Sequence, residues 1–322
     1  MNRALKKISI TTGDDDGVGL EVAVKALLNL GPQKDFVFFL NRSPDASKTF
    51  LKKIDTKFNR VILDTLDDGI SFLKSQSKLP KSLLLDIASS LPPPFWVEES
   101  AKLCMSKELD GISTGPMSKT LIVESGLKDL GHTDILSRIA GVRDVHMGFM
   151  GDKFNVVLAT GHIPLKEVSQ HLTLENLKSA ISQTHSFTKA LKLQRYPIGF
   201  VGLNPHAGEH GLIGKEENSV INEALLWAAS EKIKIEGPLV PDAAFFPENW
   251  RRYSCYLTCY HDQGLIPFKM IHGQDDGCHI SLGLPFVRTS VDHGTAKDIF
   301  GKNKANPNSM ISAIKFCMKL VR

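Results

Sequence analysis

Three histidines stand where an apolar run gives way to polar loop residues. His162 follows Asn155–Ala159 through Thr160-Gly161, His206 follows Ile198–Leu203 through Asn204-Pro205, and His261 directly follows Cys255–Tyr260. Neutral imidazole is a good ligand for zinc and other borderline divalent metals, and three protein ligands leave coordination positions for a substrate. In an open parallel sheet the C-terminal strand ends share one edge, so residues far apart in sequence can converge there. The spacing forms no local metal motif, so three loop histidines with separate hydrogen-bonding duties stay open as an alternative. His206-Ala207-Gly208-Glu209-His210 also fits the H-x-x-E-H pattern of one metallopeptidase class, which needs both histidines on one helical face. Pro205, Gly208 and Gly211 favour a loop there and argue against that hydrolase.

The elements that must position these residues alternate along the chain. Short apolar runs recur at Lys7–Thr12, Phe36–Leu40, Val61–Leu63, Ser82–Ile87, Gly111–Ser113, Val145–Met150, Asn155–Ala159, Ile198–Leu203 and Cys255–Tyr260. Helical periodicity marks Leu174–Leu191, Glu216–Ile233 and Asn308–Val321. The pattern predicts an α/β fold with a mostly parallel sheet and helical crossovers. The prolines of Leu91-Pro92-Pro93-Pro94-Phe95 predict an extended connection. At 322 residues two lobes are favoured over one, with a ligand cleft between them.

Composition excludes several classes. Thirty-nine basic and 35 acidic side chains leave a charge of +4, too small and too evenly spread to imply a nucleic-acid surface. The N-terminus through Lys7 is basic, but the run that follows is too short for a signal-peptide core, and no run approaches the roughly 18 apolar residues of a membrane span. A cytoplasmic protein without nucleic-acid or membrane partners is expected. Cys104, Cys255, Cys259, Cys278 and Cys317 form no CxxC pair and suit buried thiols in a reducing compartment, with Cys255 and Cys259 on a strand-like run rather than sharing a metal.

The words around the histidines carry a resemblance. Gly161-His162-Ile163-Pro164-Leu165, Asn204-Pro205-His206-Ala207-Gly208-Glu209 and Tyr260-His261-Asp262-Gln263-Gly264 resemble, in order, signature segments of the 4-hydroxythreonine-4-phosphate dehydrogenase family. Further matches are Thr114–Lys119, Gly131-His132-Thr133-Asp134 and the run from Leu282 to Ala296. The resemblance spans nearly the whole chain. It implies a two-lobed α/β/α fold of the isopropylmalate dehydrogenase-like type with the active site in the cleft. Approximate lobes are 1–130 with 280–322, and 131–279, the second carrying the metal-binding histidines and dimer contacts. It also implies that His162, His206 and His261 bind one divalent ion, zinc, magnesium or cobalt, at a site completed across a homodimer interface.

Further roles follow from the same resemblance. His293-Gly294-Thr295-Ala296 and, beyond it, Asn306 resemble the cofactor-binding segment of isopropylmalate and isocitrate dehydrogenases, which implies NAD or NADP held without a Rossmann site. Gly13, Gly17 and Gly19 do not form G-x-G-x-x-G, and Asp14, Asp15 and Asp16 between them would repel a pyrophosphate. His132, Thr133, Lys269, His279 and Arg288 match substrate-binding positions for a phosphorylated small molecule. Arginine grips phosphate through two parallel hydrogen bonds, and a helix start offers unpaired N–H groups. Asp262 and Lys269 are the candidate catalytic bases, and Asp242 or Asp292 are candidates for orienting histidines.

The chain departs from the family at two places. Thr12-Gly13-Asp14-Asp15-Asp16-Gly17-Val18-Gly19-Leu20-Glu21 lacks both prolines usual there, and His279 replaces a substrate-binding asparagine. Imidazole can still donate a hydrogen bond, but its shape differs and it can titrate near neutral pH. The reading is oxidation of 4-phosphohydroxy-L-threonine at C3 and decarboxylation to 3-amino-2-oxopropyl phosphate, in pyridoxal 5'-phosphate biosynthesis. The alternatives are a 4-phospho-D-threonate or erythronate dehydrogenase and a non-enzymatic ligand sensor, against which the intact histidine set counts.

Overall fold

The computed structural model describes residues 5–273 and 276–322 and divides the chain into two compact units, Met1–Arg143 with Leu284–Arg322, and Asp144–Gly283. The sequence-based boundary at 130/131 therefore moves: the helix His132–Ala140 belongs to the first unit. Its apolar face, Ile135 and Leu136, is fully buried with Val97 and Ala101 of the helix Pro93–Met105, which fixes that membership. Residues 1–4 of the basic N-terminus lie outside the described residues.

The first unit contains β1 (Lys6–Thr11), β2 (Phe36–Arg42), β3 (Asn59–Leu63), β4 (Leu83–Ala88) and β5 (Gly111–Thr114). The second contains β6 (His146–Met150), β7 (Val156–Leu158), β8 (Ile198–Val201), β9 (Ile235–Leu239), β10 (Cys255–Thr258) and β11 (Cys278–Leu282), and β12 (Val287–Ser290) returns to the first. In the first unit the order is β3-β4-β2-β1-β5-β12, and every pairing is parallel. Parallel strands buried on both faces read as continuous apolar runs. Phe36, Phe38 and Leu40 of β2 pack into one cluster with the helices Gly19–Leu30 and Asn308–Leu320, whereas Val37 and Phe39 pack into another with Pro93–Met105. Burying each such aromatic ring stabilises the unit by roughly 2–3 kcal/mol.

The second unit has the order β11-β6-β7-β10-β8-β9, antiparallel on both sides of β6 and parallel from β7 to β9. Its core is aromatic: Phe149, Phe154, Tyr256 and Phe268 are buried together. Two local expectations are corrected. The Pro92-Pro93-Pro94 segment does not run on as an extended connection. Only Pro92 is extended, and Pro93 and Pro94 open a helix, where a missing N–H costs nothing and the fixed φ suits the first turn. The helix expected over Glu216–Ile233 begins as a π turn, Glu217–Ile221, and becomes α-helical only over Asn222–Ser230.

Candidate active site

The three histidines belong to the second unit, just past three consecutive parallel strands, β7, β10 and β8. Ala159 N donates to Thr258 O at 2.8 Å and Thr160 Oγ1 donates to Cys259 O at 2.7 Å, so the end of β7 is laced to the end of β10. Consequently the His162 and His261 rings meet with centroids 5.1 Å apart, tilted by 45°. His261 opens the helix His261–His272 rather than lying in a loop, and its Nδ1 is 2.7 Å from Asp262 Oδ1. A carboxylate on Nδ1 fixes the tautomer and leaves Nε2 as the ligating nitrogen. Gln263 bridges the next strand pair, accepting from Cys259 N at 2.7 Å and donating to Gly202 O at 2.6 Å. Gly264 is required by proximity, because a Cβ there would stand 2.6 Å from Val156 Cγ1 and 2.8 Å from Thr258 Oγ1.

His206 is positioned differently. His206, Ala207, Gly208, Glu209 and His210 all have positive φ, between 43° and 80°, so the peptidase-like word is not an α-helix. Each non-glycine residue in that region costs about 1–2 kcal/mol, so the loop must be held from outside. Among the described residues no group of three or more His, Cys, Asp or Glu side chains is gathered closely enough to hold a metal ion. The structure brings His162 and His261 together and leaves exposed His206 on the left-handed turn that follows the neighbouring strand. Asp242 is exposed on the short helix Pro241–Ala244, and Lys269 lies two turns after His261 on its helix. His279, on β11, is buried with its ring 5.3 Å from that of Phe149. The five cysteines are buried free thiols, and burial pushes the Cys255 and Cys259 thiols up.

A second constellation lies in the first unit, at the C-terminal ends of β1, β5 and β12. Arg288 is buried on β12 and donates through Nη2 to Thr114 Oγ1 of β5 at 2.8 Å. His132 and Thr133 open the helix His132–Ala140 after Gly131. Burial first, then the positive charge of Arg288, hold the His132 imidazole down to about 3, against a backbone hydrogen bond to Gly115 that raises it. His132 is therefore neutral beside a permanent cation, a pairing suited to an anion.

The glycine turn after β1 packs against the same edge: a Cβ at Gly13, whose φ is +76°, would overlap Pro116 O. The aspartates of that turn are not merely repulsive. Lys297 Nζ reaches Asp14 Oδ2 at 3.2 Å and Asp16 Oδ1 at 2.8 Å, and Val18 N donates to Thr295 O at 3.0 Å. The turn is thereby tied to His293-Gly294-Thr295-Ala296. Burial, then Asp14, Asp16 and Asp45, push the Asp15 carboxyl up. His293 Nδ1 is 2.9 Å from Gly294 O, while its buried Nε2 has no hydrogen-bond partner among the described residues. Ala296 is left-handed, and exposed Asn306 accepts from Asn308 N at 3.0 Å, helping to start the closing helix. Sequence reasoning missed Lys297, whose aspartate partners lie at the opposite end of the chain, so no local signal marks it.

His132, His146 and His272 yield a pH prediction. Burial is the main reason that all three lie below the ordinary 6.5. His272 accepts from Lys153 N at 3.0 Å through Nε2 and faces Phe268 O at 3.0 Å through Nδ1, an arrangement only the neutral ring satisfies. Groups depressed in the fold take up protons on unfolding, so their contribution is complete above about 6.5 and is lost as pH falls from there toward the folded values. Thermal unfolding should therefore occur at lower temperature at pH 5 than at pH 7, and an unchanged or higher midpoint at pH 5 would contradict the assignment.

The fold is that of a two-unit α/β protein whose candidate site residues gather near the ends of its strands. The sequence pattern of the family "Pyridoxal phosphate biosynthetic protein PdxA" matches residues 95–317, and the chain belongs to that family. It is 35% identical to 4-hydroxythreonine-4-phosphate dehydrogenase of Sulfurihydrogenibium sp. over 98% of each chain. It is also 31% identical to D-threonate 4-phosphate dehydrogenase of Pectobacterium atrosepticum, over 98% of this chain and 99% of the other. Among solved structures, 4-hydroxythreonine-4-phosphate dehydrogenase of Klebsiella pneumoniae matches with a TM-score of 0.80 at 25% identity, over 98% of this chain and 100% of the other. No helix among the described residues is long and apolar enough to cross a membrane.

Proposed function

We propose that the protein oxidises 4-phosphohydroxy-L-threonine at C3 with NAD or NADP and releases 3-amino-2-oxopropyl phosphate and carbon dioxide, in pyridoxal 5'-phosphate biosynthesis in the cytoplasm. The observation that carries this reading is the meeting of His162 and His261 at adjoining strand ends in a chain so extensively similar to dehydrogenases of that name. The donor chemistry at this edge is that of a divalent-metal site: His162 and His261 meet there, Asp262 engages His261 Nδ1 and leaves Nε2 as the donor, and His206 follows the neighbouring strand. The orphaned His293 Nε2 in the matched cofactor segment suits a polar group of a dinucleotide. When bound, the metal supplies a Lewis acid that lowers the pKa of a substrate hydroxyl, and the nicotinamide accepts hydride.

The chain's own residues supply the rest. In this reading Arg288, neutral His132 and Thr133 take the anionic end of the substrate, Asp262, engaged with His261, also serves as an orienting group, and Asp262 or Lys269 takes the hydroxyl proton. A ketone β to a carboxylate then makes carbon dioxide loss easy, because the electrons of the breaking bond flow into an enol or enamine. The same reading, through the family resemblance, makes the protein a homodimer that completes the sites.

One observation favours the second reading, a 4-phospho-D-threonate dehydrogenase. His279, where the family usually has asparagine, would disfavour the C2 ammonium of hydroxythreonine phosphate if protonated and near C2. The test measures kcat/KM for both phosphorylated acids in wild type and His279→Asn from pH 6 to 8. Hydroxythreonine phosphate is expected to be preferred by wild type, by up to roughly 10⁴-fold for a site built around one hydrogen-bonding group. Preference for the threonate that reverses in the variant would overturn this choice of substrate.

A further inference from the structure

Glu217 is a buried carboxylate, 2% accessible, in a stretch that reads as the solvated start of a helix. Its Oε1 accepts from Asn204 N at 2.7 Å and its Oε2 accepts from Asn204 Nδ2 at 2.9 Å, while Glu216 Oε2 takes the same amide at 2.9 Å. On the other side of the loop Glu217 abuts Gly208, where an added Cβ would stand 2.7 Å from Oε2. Asn204 precedes His206 by two residues and Gly208 follows it by two. One carboxylate thus hydrogen-bonds one flank of the left-handed segment that carries His206 and lies close against the other. Gly214 leaves room for the clamp, since a Cβ there would stand 2.2 Å from Asn204 Nδ2. The π turn Glu217–Ile221 is itself informative: such insertions are strained, recur at functional sites, and rotate a side chain out of the register an α-helix would give it.

We propose that Glu217 is the positioning residue of His206: it fixes the loop by gripping Asn204 and bracing Gly208, and so sets the imidazole's place at the strand edge. The inference rests on the reading of His206 as a metal ligand, and it gives the strained loop the external anchor it requires. Glu217 does not touch substrate or metal; its effect passes through the Asn204–Gly208 backbone. Its carboxylate supplies two acceptor oxygens, which suit the N–H and side-chain amide of one asparagine.

The test titrates cobalt(II) alone into the full-length protein, freed of other metal, following affinity by calorimetry and ligand geometry by the cobalt d–d absorption bands. His206→Ala, Glu217→Ala, Glu217→Gln and Asn204→Ala are compared, with thermal unfolding of each metal-free variant as the control for folding. Glu217→Ala is expected to weaken cobalt binding about 10- to 100-fold and to alter the bands, as loss of a group orienting a ligand does. Glu217→Gln keeps one acceptor for Asn204 N–H and should recover part of the affinity. Asn204→Ala should weaken binding as well, and combining it with Glu217→Ala should add little, because both act through one clamp. Wild-type affinity and spectrum in both Glu217 variants, with weakened binding in His206→Ala, would overturn the inference. Wild-type binding in His206→Ala would instead overturn the ligand assignment on which it rests. If Glu217→Ala does not fold, Glu217→Gln and Asn204→Ala decide, and wild-type affinity in both overturns the proposal.

Discussion

Replacing His261 by alanine is expected to lower kcat/KM by at least about 10³-fold while moving the unfolding midpoint by no more than a degree or two. The two halves of that expectation have separate causes. The His261 side chain is about one-third accessible and its hydrogen bond is to exposed Asp262, so its removal opens no cavity and strands no buried group. For activity, an alcohol gives up its proton and hydride only when the developing charge is stabilised, and in the proposed reading His261 and His162, with rings 5.1 Å apart, hold the ion that does so. His162→Ala should behave alike. Loss of activity accompanied by an equal loss of stability would reassign the pair to the fold.

Much of the scaffold was legible in the sequence because parallel strands buried on both faces leave unbroken apolar runs. All nine runs read as strands, and the helices Leu174–Ala190 and Asn308–Leu320 end within a residue of the bounds their periodicity gave. Three strands were not seen, for physical reasons. β9 contains Gly237-Pro238, which reads as a turn, yet it lies at the sheet edge, where proline is tolerated. β11 and β12 are short and mix Cys, His, Ser, Arg and Thr with apolar residues, so neither alternation nor an apolar run marks them. The antiparallel placement of β6 depends on a turn at Gly151–Phe154, whose geometry composition does not specify.

The site divides in the same way. Motif words identified the histidines, and the order of β7, β10 and β8 explains why His162 and His261 meet. The supporting residues were invisible, because Glu217 and Lys297 act through partners distant in sequence and read as ordinary surface charges. The acidic turn after β1 illustrates the limit: its aspartates look like a barrier to pyrophosphate, whereas their spatial role is to bind Lys297 beside the proposed cofactor segment.

The largest expected loss of stability is at Asp86, on β4. Its side chain is fully buried and accepts from Arg42 Nε and Nη2 at 2.7 and 2.8 Å and from Arg60 Nη1 at 2.6 Å, and the Arg42 side chain is itself only 5% accessible. Asp86→Ala leaves Arg42 charged and desolvated without its bidentate partner. Breaking one side of a buried ion pair costs about 3–5 kcal/mol, far above the ordinary surface substitution. The first unit should consequently unfold about 10 °C earlier. Replacing Asp55, which pairs with Arg60 at the surface, should cost under about 1 kcal/mol. Equal effects from the two substitutions, measured by calorimetry, would show that burial does not control this network.

The measurement that bears most directly on the proposed function is the initial rate of NADH or NADPH formation with 4-phosphohydroxy-L-threonine, followed in one preparation before chelation, after removal of divalent metal, and after return of zinc, magnesium or cobalt. The account predicts turnover in the first state, loss of at least about 10³-fold in the second, and recovery in the third with 3-amino-2-oxopropyl phosphate as product. Undiminished turnover in the stripped protein, or no nicotinamide reduction with any metal and any 4-phosphorylated four-carbon hydroxy acid, would contradict it.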